Sequence, residues 1–279
     1  MDEMKNSIFF INIFNCDEVK GNLQKMFALM KKLNVSGLQM SYDEVKSFDT
    51  AEYKKALDCN GVKLVCTHIT PRLLSKDELV VKSAIDECVQ ALKTVSPLGC
   101  EYLMVVPFHP DDVDGMQDKT RARETFAQAL KIIVDEAKKY SVKIVIENIS
   151  QLILPFSSVE DIEYLIDAVP GLCFCFDTGN VVCIGEDAEK AYEKICGIIS
   201  MVHIKDFGLC TSDGYGCDSG RMVKHVPFGE GEAKLREILR KHSKVKPATS
   251  YIIEIHSEAP REGLVEQACK FAEEVLGEN

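Results

Sequence analysis

Eight short runs along the chain carry the hydrophobic signature of β-strands: IFFINIF (8–14), SGLQMSY (36–42), VKLVCTH (62–68), YLMVVPF (102–108), VKIVIEN (142–148), LCFCFDT (172–178), MVHIKDF (201–207) and YIIEIHS (251–257). Between them apolar residues recur every three or four positions, the spacing of one helix face. The clearest cases are GNLQKMFALMKKLN (21–34), SKDELVVKSAIDECVQALKTV (75–95), TRARETFAQALKIIVDEAKKY (120–140) and REGLVEQACKFAEEVL (261–276). Ser75, with Glu78 three residues on, reads as a capping box that opens the second of these helices. Strands alternating with helices build right-handed parallel units, and eight such units in 279 residues predict a closed (β/α)8 barrel before an open doubly wound sheet. No linker or low-complexity stretch divides the pattern, so residues 1–279 read as one barrel domain. The longest gap, 208–231, is too long for a plain βα turn; its part 208–224 is rich in Gly, Ser and Asp and reads as a loop, either a mobile lid or solvated surface.

In such a barrel, function belongs at the C-terminal ends of the strands. Ionisable side chains collect there: His68, His109, Glu147, Asp177, His203, Lys205, Asp206, Glu254 and His256. Residues i and i+2 of a strand point to the same side. Cys173, Cys175 and Asp177 therefore share a face, as do Val145 with Glu147, Met201 with His203 and Lys205, and Ile252 with Glu254 and His256. Each ionisable group stands above small or apolar residues, which is the pattern of inward positions with a filled floor and a ligand-facing top. The two cysteines of CFCFDTGN are then fillers of the sixth strand, and Asp177 carries the chemistry.

Three carboxylates and one imidazole on four consecutive strands thus aim at one point. Any one of them alone would be an ordinary helix cap or ion pair; together they repel and lose hydration, and a divalent cation resolves both problems. Oxygen-rich ligation with one imidazole suits Mn²⁺ or Mg²⁺ and tolerates Zn²⁺ or Co²⁺, so ligand softness narrows the metal without choosing it; Mn²⁺ is the expected ion.

Composition narrows the partners. Hydrophobic residues make up 46% and charged residues 28%, a balance typical of a globular protein, and no run approaches the ~20 apolar residues that a membrane span needs. The start, MDEMKNSIFFINIF, has acidic residues before a short apolar run and no small-residue cleavage site, so it reads as a first strand and the protein as cytoplasmic. Twelve scattered cysteines read mostly as small buried hydrophobes. A net charge of −11 opposes nucleic-acid binding and favours a neutral or cationic small molecule, with room for one phosphate at a local basic cluster.

The segments IVIENIS (144–150), FCFDTGN (174–180), MVHIKDF (201–207), IIEIHS (252–257) and HVPFGEGE (225–232) resemble the xylose isomerase-like TIM barrel superfamily of sugar and sugar-phosphate isomerases and epimerases, over essentially the whole chain. The resemblance implies that Glu147, Asp177, His203 and Glu254 are metal ligands. In the ketose 3-epimerase branch it also makes Glu147 and Glu254 the catalytic pair, moving a proton through an enediolate while the metal holds the carbonyl and the adjacent hydroxyl. That division of labour is chemically sound, because removing a proton beside a ketone needs a base near the C–H and an electrophile at the oxygen.

Some positions depart from the branch. Asn180 stands where many relatives have histidine, and Ile153 and Leu154 where epimerases show a second glutamate. Lys224 and His225, with Arg221 earlier, replace an arginine before the VPG-like segment. Candidate substrate contacts are His68, His109, Asn180, Lys205, Lys224, His225 and His256. Against this stand plain structural roles: hydrogen bonding for the histidines, and an ion pair to a carboxylate such as Asp206 for Lys205.

The expected function is a metal-dependent isomerase or epimerase acting on a ketose, an inosose or a related sugar, phosphorylated or not. Alternatives are a lyase or dehydratase of the same superfamily acting on an oxidised sugar or inosose, and a non-catalytic sugar-binding or partner subunit. Type IV apurinic endonucleases share the barrel, but their trinuclear zinc cluster is built from many more histidines and must grip DNA, which six histidines in all, Asn180 in place of a ligand and a net charge of −11 oppose. The outward barrel faces are surfaces on which copies of the chain could pair as a homo-oligomer.

Overall fold

The computed structural model describes residues 9–12, 19, 21–115, 117–152, 154–255 and 261–277. The strands are β1 (Phe10–Asn12), β2 (Gly37–Ser41), β3 (Lys63–Ile69), β4 (Tyr102–Val105), β5 (Lys143–Glu147), β6 (Cys173–Asp177), β7 (Ile199–Ile204), β8 (Phe207–Leu209), β9 (Tyr215–Gly216), β10 (Met222–His225) and β11 (Ser250–Ile253). The helices are α1 (Leu23–Leu33), α2 (Tyr42–Val45), α3 (Thr50–Asn60), α4 (Glu78–Val95), α5 (Lys119–Ala137), α6 (Val159–Ala168), α7 (Thr178–Ile184), α8 (Ala188–Ile195), α9 (Leu235–Val245) and α10 (Arg261–Gly277). Strands β1 to β7 and β11 are all parallel and close into one barrel, β11 pairing with both β7 and β1. The (β/α)8 expectation holds. Every predicted run contains a barrel strand, although β7 begins two residues and β11 one residue before its run, and β3 ends one residue after it.

Most helix starts follow from a side-chain acceptor placed just before the apolar stripe. Asn22, Asp49, Asp118 and Asp187 each accept a backbone N–H of the first turn, and Ser158 with Asp161 forms a full capping box at α6. The box expected from Ser75 and Glu78 does not form. Asp77 caps α4 instead, taking the N–H of Leu79, and Ser75 Oγ accepts from the N–H of Asp77 at 3.2 Å. An anionic oxygen one residue before the helix is the stronger acceptor, so the helix begins later than the sequence suggested.

Two apolar layers result. Between strands and helices lies the large outer core, and inside the barrel lie Cys66, Tyr102, Met104, Val145, Cys175, Met201 and Ile252, with Phe10, Val106 and Cys173 packed against them. The inner set is the period-two alternation made visible, and Cys173 and Cys175 are indeed fillers. Gly37 belongs to this floor: a Cβ there would lie 2.4 Å from the Phe10 ring, so β2 can approach β1 closely only without a side chain.

Two register shifts tune the top of the barrel. Between β6 and β7 the pairing passes from Phe174 with Ile199 to Cys175 with Met201, so Ser200 is an extra residue and Asp177 comes to lie beside His203. Without that bulge Asp177 would pair with Val202. Between β2 and β3, Val65 is the extra residue, which sets Gln39 beside Cys66 and Ser41 beside His68.

The 208–224 stretch is not the loop expected from its composition. It folds as an antiparallel sheet in the order β8-β10-β9, with Phe207 opposite His225 and Val223 opposite both Leu209 and Tyr215. Its strands are too short for alternation to stand out among the Gly, Ser and Asp residues. The Arg221 guanidinium latches this sheet to the end of α7, donating to the Val182 carbonyl at 3.2 Å and the Gly185 carbonyl at 3.1 Å. Among the described residues no helix is long and apolar enough to cross a membrane.

Candidate metal centre

Glu147 ends β5, Asp177 ends β6, His203 lies near the end of β7, and Glu254 follows β11 directly. Each offers one ligand-type atom, and all four atoms lie within 4.8 Å of one another. His203 Nδ1 is 3.0 Å from Glu147 Oε2, 2.9 Å from Glu254 Oε2 and 3.8 Å from Asp177 Oδ2. The convergence read from i, i+2 spacing is therefore present in space.

Asp177 divides its two oxygens. Oδ1 accepts the N–H groups of Gly179 and Asn180 at 2.9 and 2.8 Å as the cap of α7, while Oδ2 faces the centre. Its backbone is clamped by Asn148, whose amide accepts from the Asp177 N–H at 2.8 Å and donates to the Asp177 carbonyl at 3.0 Å. Thr178 Oγ1 donates to the carbonyls of His203 and Lys205 and accepts the Lys205 N–H at 3.1 Å, which ties β6 to β7 just below the site. Glu254 takes a hydrogen bond from Asn12 Nδ2 at 3.3 Å.

Lys205 is the principal counter-charge. Its ammonium lies 2.7 Å from Asp177 Oδ2 and 2.7 Å from Glu254 Oε1, with its side chain only 6% exposed. It does not pair with Asp206, the partner suggested by sequence. Asp206 accepts the N–H groups of Gly229, Gly231 and Ala233 at 2.9, 3.1 and 3.3 Å and so anchors the PFGEGEA segment. Glycine is required beside the lysine: a Cβ on Gly179 would lie 2.6 Å from Lys205 Cγ.

The charges lean on one another. Burial opposes a charged Lys205, but the carboxylates of Asp177, Glu254 and Glu147 hold its ammonium well above the usual lysine range. Burial likewise opposes a charged His203, yet Cys175 below it and the carboxylates of Glu254 and Asp177 push its imidazole well above the ordinary value. For Glu254 burial is outweighed by Lys205 and His203, which hold its carboxyl well below the ordinary range. Glu147 has the least compensation, and burial raises it. Three carboxylates share two side-chain cations; the same oxygens with the His203 Nδ1 lone pair form a donor set that fits one divalent cation.

The centre opens into a cavity of about 360 Å³ lined by Glu147, Asn180, Lys205, Glu254, Val106, Phe108 and Gln151, with Tyr215, Cys217 and Asp218 of the small sheet on its rim. A second cavity of about 840 Å³ lies along the ends of β2 and β3, lined by Ser41, His68, Thr70, Arg72 and His109 among others.

The remaining sequence-derived candidates separate. Lys205 and Asn180 line the cavity of the centre, although the Asn180 amide also donates to the Asn148 carbonyl at 2.9 Å. His68 lines the second cavity, and burial lowers its imidazole to about 4. His109 is there too, but its Nδ1 accepts the N–H of Asp111 at 3.2 Å and so holds a turn. His225 packs against Phe207 with ring centres 4.6 Å apart and planes tilted by 50°, and Lys224 is exposed on the face of β10 opposite Val223; neither lines the cavity of the centre. His256 lies outside the described residues.

Sequence reasoning missed Gln39 and Asn12. Both sit inward near the ends of β2 and β1, and an amide on the inward register of SGLQMSY and IFFINIF was the available signal.

The family model for the xylose isomerase-like TIM barrel matches residues 27–275, and the chain belongs to that family. Among curated proteins it is similar to SgbU of Escherichia coli (strain K12), named provisionally as an L-ribulose-5-phosphate 3-epimerase, with 24% identity over 202 residues that cover 71% of this chain and 68% of SgbU. Among solved structures, the IolI protein with a bound zinc atom superposes with a TM-score of 0.77 at 17% identity, covering 97% of this chain and 98% of IolI. An L-ribulose 3-epimerase superposes with a TM-score of 0.76 at 15% identity, covering 97% and 94%. At these identities the two structures establish a shared fold.

Proposed function

We propose that this protein is a divalent-metal-dependent isomerase or epimerase of a ketose, ketose phosphate or inosose. The observation that carries the reading is the convergence of Glu147, Asp177, His203 and Glu254, donor atoms within 4.8 Å, beside a cavity that Glu147, Glu254 and Lys205 line. The epimerase names borne by SgbU and by the L-ribulose 3-epimerase structure, and the zinc bound by IolI, support it. When bound, a divalent cation supplies an electrophile that polarises a carbonyl oxygen and stabilises negative charge there.

The chain's own groups supply the rest. Glu147 and Glu254 stand on strands separated by β6 and β7 and both line the cavity. One takes the proton from the carbon beside the carbonyl, leaving an enediolate; the other returns a proton, to the opposite face of that carbon in an epimerase or to the neighbouring carbon in an isomerase. Asp177, fixed by its helix cap and by Asn148, is held too tightly to move with a proton and serves as a ligand. The Lys205 ammonium offers a fixed positive charge to a substrate oxygen. The small cavity with mixed polar and apolar walls suits a monosaccharide.

Glu147→Gln and Glu254→Gln are each expected to lower turnover by at least about 10²-fold, the usual worth of a positioned acid or base, and to weaken metal binding. The assay is a panel of ketoses, their phosphates and inososes with product analysis. Near wild-type turnover in either variant would remove the mechanism, and a product lighter by water would transfer the protein to the lyases.

A further inference from the structure

We propose that Gln39 is the positioning residue of the centre: its side-chain amide orients His203 so that Nδ1 presents its lone pair to a divalent cation, and the same amide sets the tautomer of His68. This rests on the metal-centre reading and deepens it.

Gln39 lies on β2, across the barrel from β7, and is 1% exposed. Its Oε1 is 2.9 Å from His203 Nε2. A carbonyl oxygen only accepts, so Nε2 keeps its proton; when the ring is neutral, as a ligating imidazole must be, Nδ1 is the nitrogen left with a lone pair for the carboxylate side. With Oε1 so committed, the amide nitrogen points the other way, 3.4 Å from His68 Nδ1 and 3.9 Å from Met104 Sδ. A donor facing His68 Nδ1 requires a lone pair there and leaves the His68 proton on Nε2. One amide therefore fixes two imidazoles, one at the metal centre and one at the wall of the second cavity.

The opposite amide orientation would set an NH₂ group against His203 Nε2 and force the proton onto Nδ1, where it blocks ligation. The Val65 bulge builds the arrangement into the backbone, because it brings Gln39 beside Cys66 and lets its side chain reach between the two histidines. An acceptor on the far nitrogen of a ligating histidine fixes the ring and raises its basicity, and losing one typically costs about 10- to 100-fold in metal affinity.

The test is calorimetric titration of the metal-stripped full chain with Zn²⁺ and Mn²⁺ for wild type, Gln39→Leu and Gln39→Glu, together with ¹⁵N-histidine NMR of the zinc-loaded wild type. Gln39→Leu is expected to weaken binding about 10- to 100-fold. Gln39→Glu, which restores an acceptor for His203 Nε2–H, is expected to recover most of that loss. The NMR spectrum should show a slowly exchanging proton on His203 Nε2 and none on Nδ1.

Equal zinc affinity in wild type and Gln39→Leu overturns the inference while leaving the metal centre standing. No recovery in Gln39→Glu assigns the effect to packing and overturns it too. A proton on Nδ1 in the zinc-loaded wild type does so without any variant, which keeps the test open if Gln39→Leu fails to fold. A wild type that binds neither metal removes the metal-centre reading itself.

Discussion

Lys205 shows how one side chain lets three carboxylates share a barrel mouth. Its ammonium touches Asp177 and Glu254 at 2.7 Å each, and its stem packs against a glycine. Breaking a buried pair leaves an uncompensated charge, a loss of about 3–5 kcal/mol. Lys205→Met is therefore expected to destabilise the metal-free protein by about that amount, and divalent metal is expected to restore most of it. Urea unfolding with chelator and with Mn²⁺ or Zn²⁺ measures both; a variant as stable as wild type in chelator would contradict the counter-ion role. The four ligand-type residues were legible from the sequence because period-two alternation decides which strand residues share a face. The partners of Lys205 were not, because Asp177 and Glu254 reach it across strands, while adjacency in HIKDF suggested Asp206. Asp206 instead meets backbone donors that the sequence does not display.

At the scale of elements, two one-residue bulges and one small sheet shape the mouth. Asp206 alone satisfies the N–H groups of Gly229, Gly231 and Ala233, and it is fully buried. Asp206→Ala orphans these donors and is expected to cost several kcal/mol, at about 1–3 kcal/mol for each buried group left unsatisfied. Limited proteolysis within 226–233 should accelerate; unchanged cleavage there would count against the anchor.

Helix α9 carries a pH-sensitive contact. His242 is fully buried between Tyr192 and Tyr251, and burial lowers its imidazole to about 4. Between that value and the unfolded value near 6.5 the unfolded chain binds a proton that the folded chain refuses, so stability rises with pH across this window. Acidifying from pH 6.5 to 4 is expected to remove on the order of 3 kcal/mol through this residue, and His242→Phe should lose that part of the slope. Unfolding curves with the same pH slope in variant and wild type would refute it.

Helices and strands were readable to within a few residues because their apolar spacing is local. The bulges at Val65 and Ser200 were not, since register is a property of two strands together. The small sheet was hidden for a related reason: strands of two to four residues leave no alternation to count.

Taken whole, the molecule is a barrel whose interior changes character along its axis, from Phe10, Tyr102 and Cys173 through Met104, Val145 and Met201 to the ligand-type residues at the strand ends. The outer core holds the strands in place, the bulges set which residues meet, and the charged cluster exposes two glutamates to one cavity. The barrel and four of the residues at its centre could be read from alternation alone. The amides that position them, Gln39, Asn148 and Asn12, required coordinates, because an amide in a strand declares neither its partner nor its orientation. Neighbours of 15–17% identity share the fold.

The most direct measurement is solvent-isotope exchange: metal-loaded protein incubated in D₂O with the panel of ketoses, ketose phosphates and inososes, followed by mass spectrometry and NMR of the recovered sugar. The expected result is metal-dependent incorporation of one deuterium at the carbon beside the carbonyl, with the isomeric or epimeric product formed and both lost in Glu254→Gln. Tight metal binding with no exchange into any member of the panel, or exchange that persists in Glu254→Gln, would contradict the assignment.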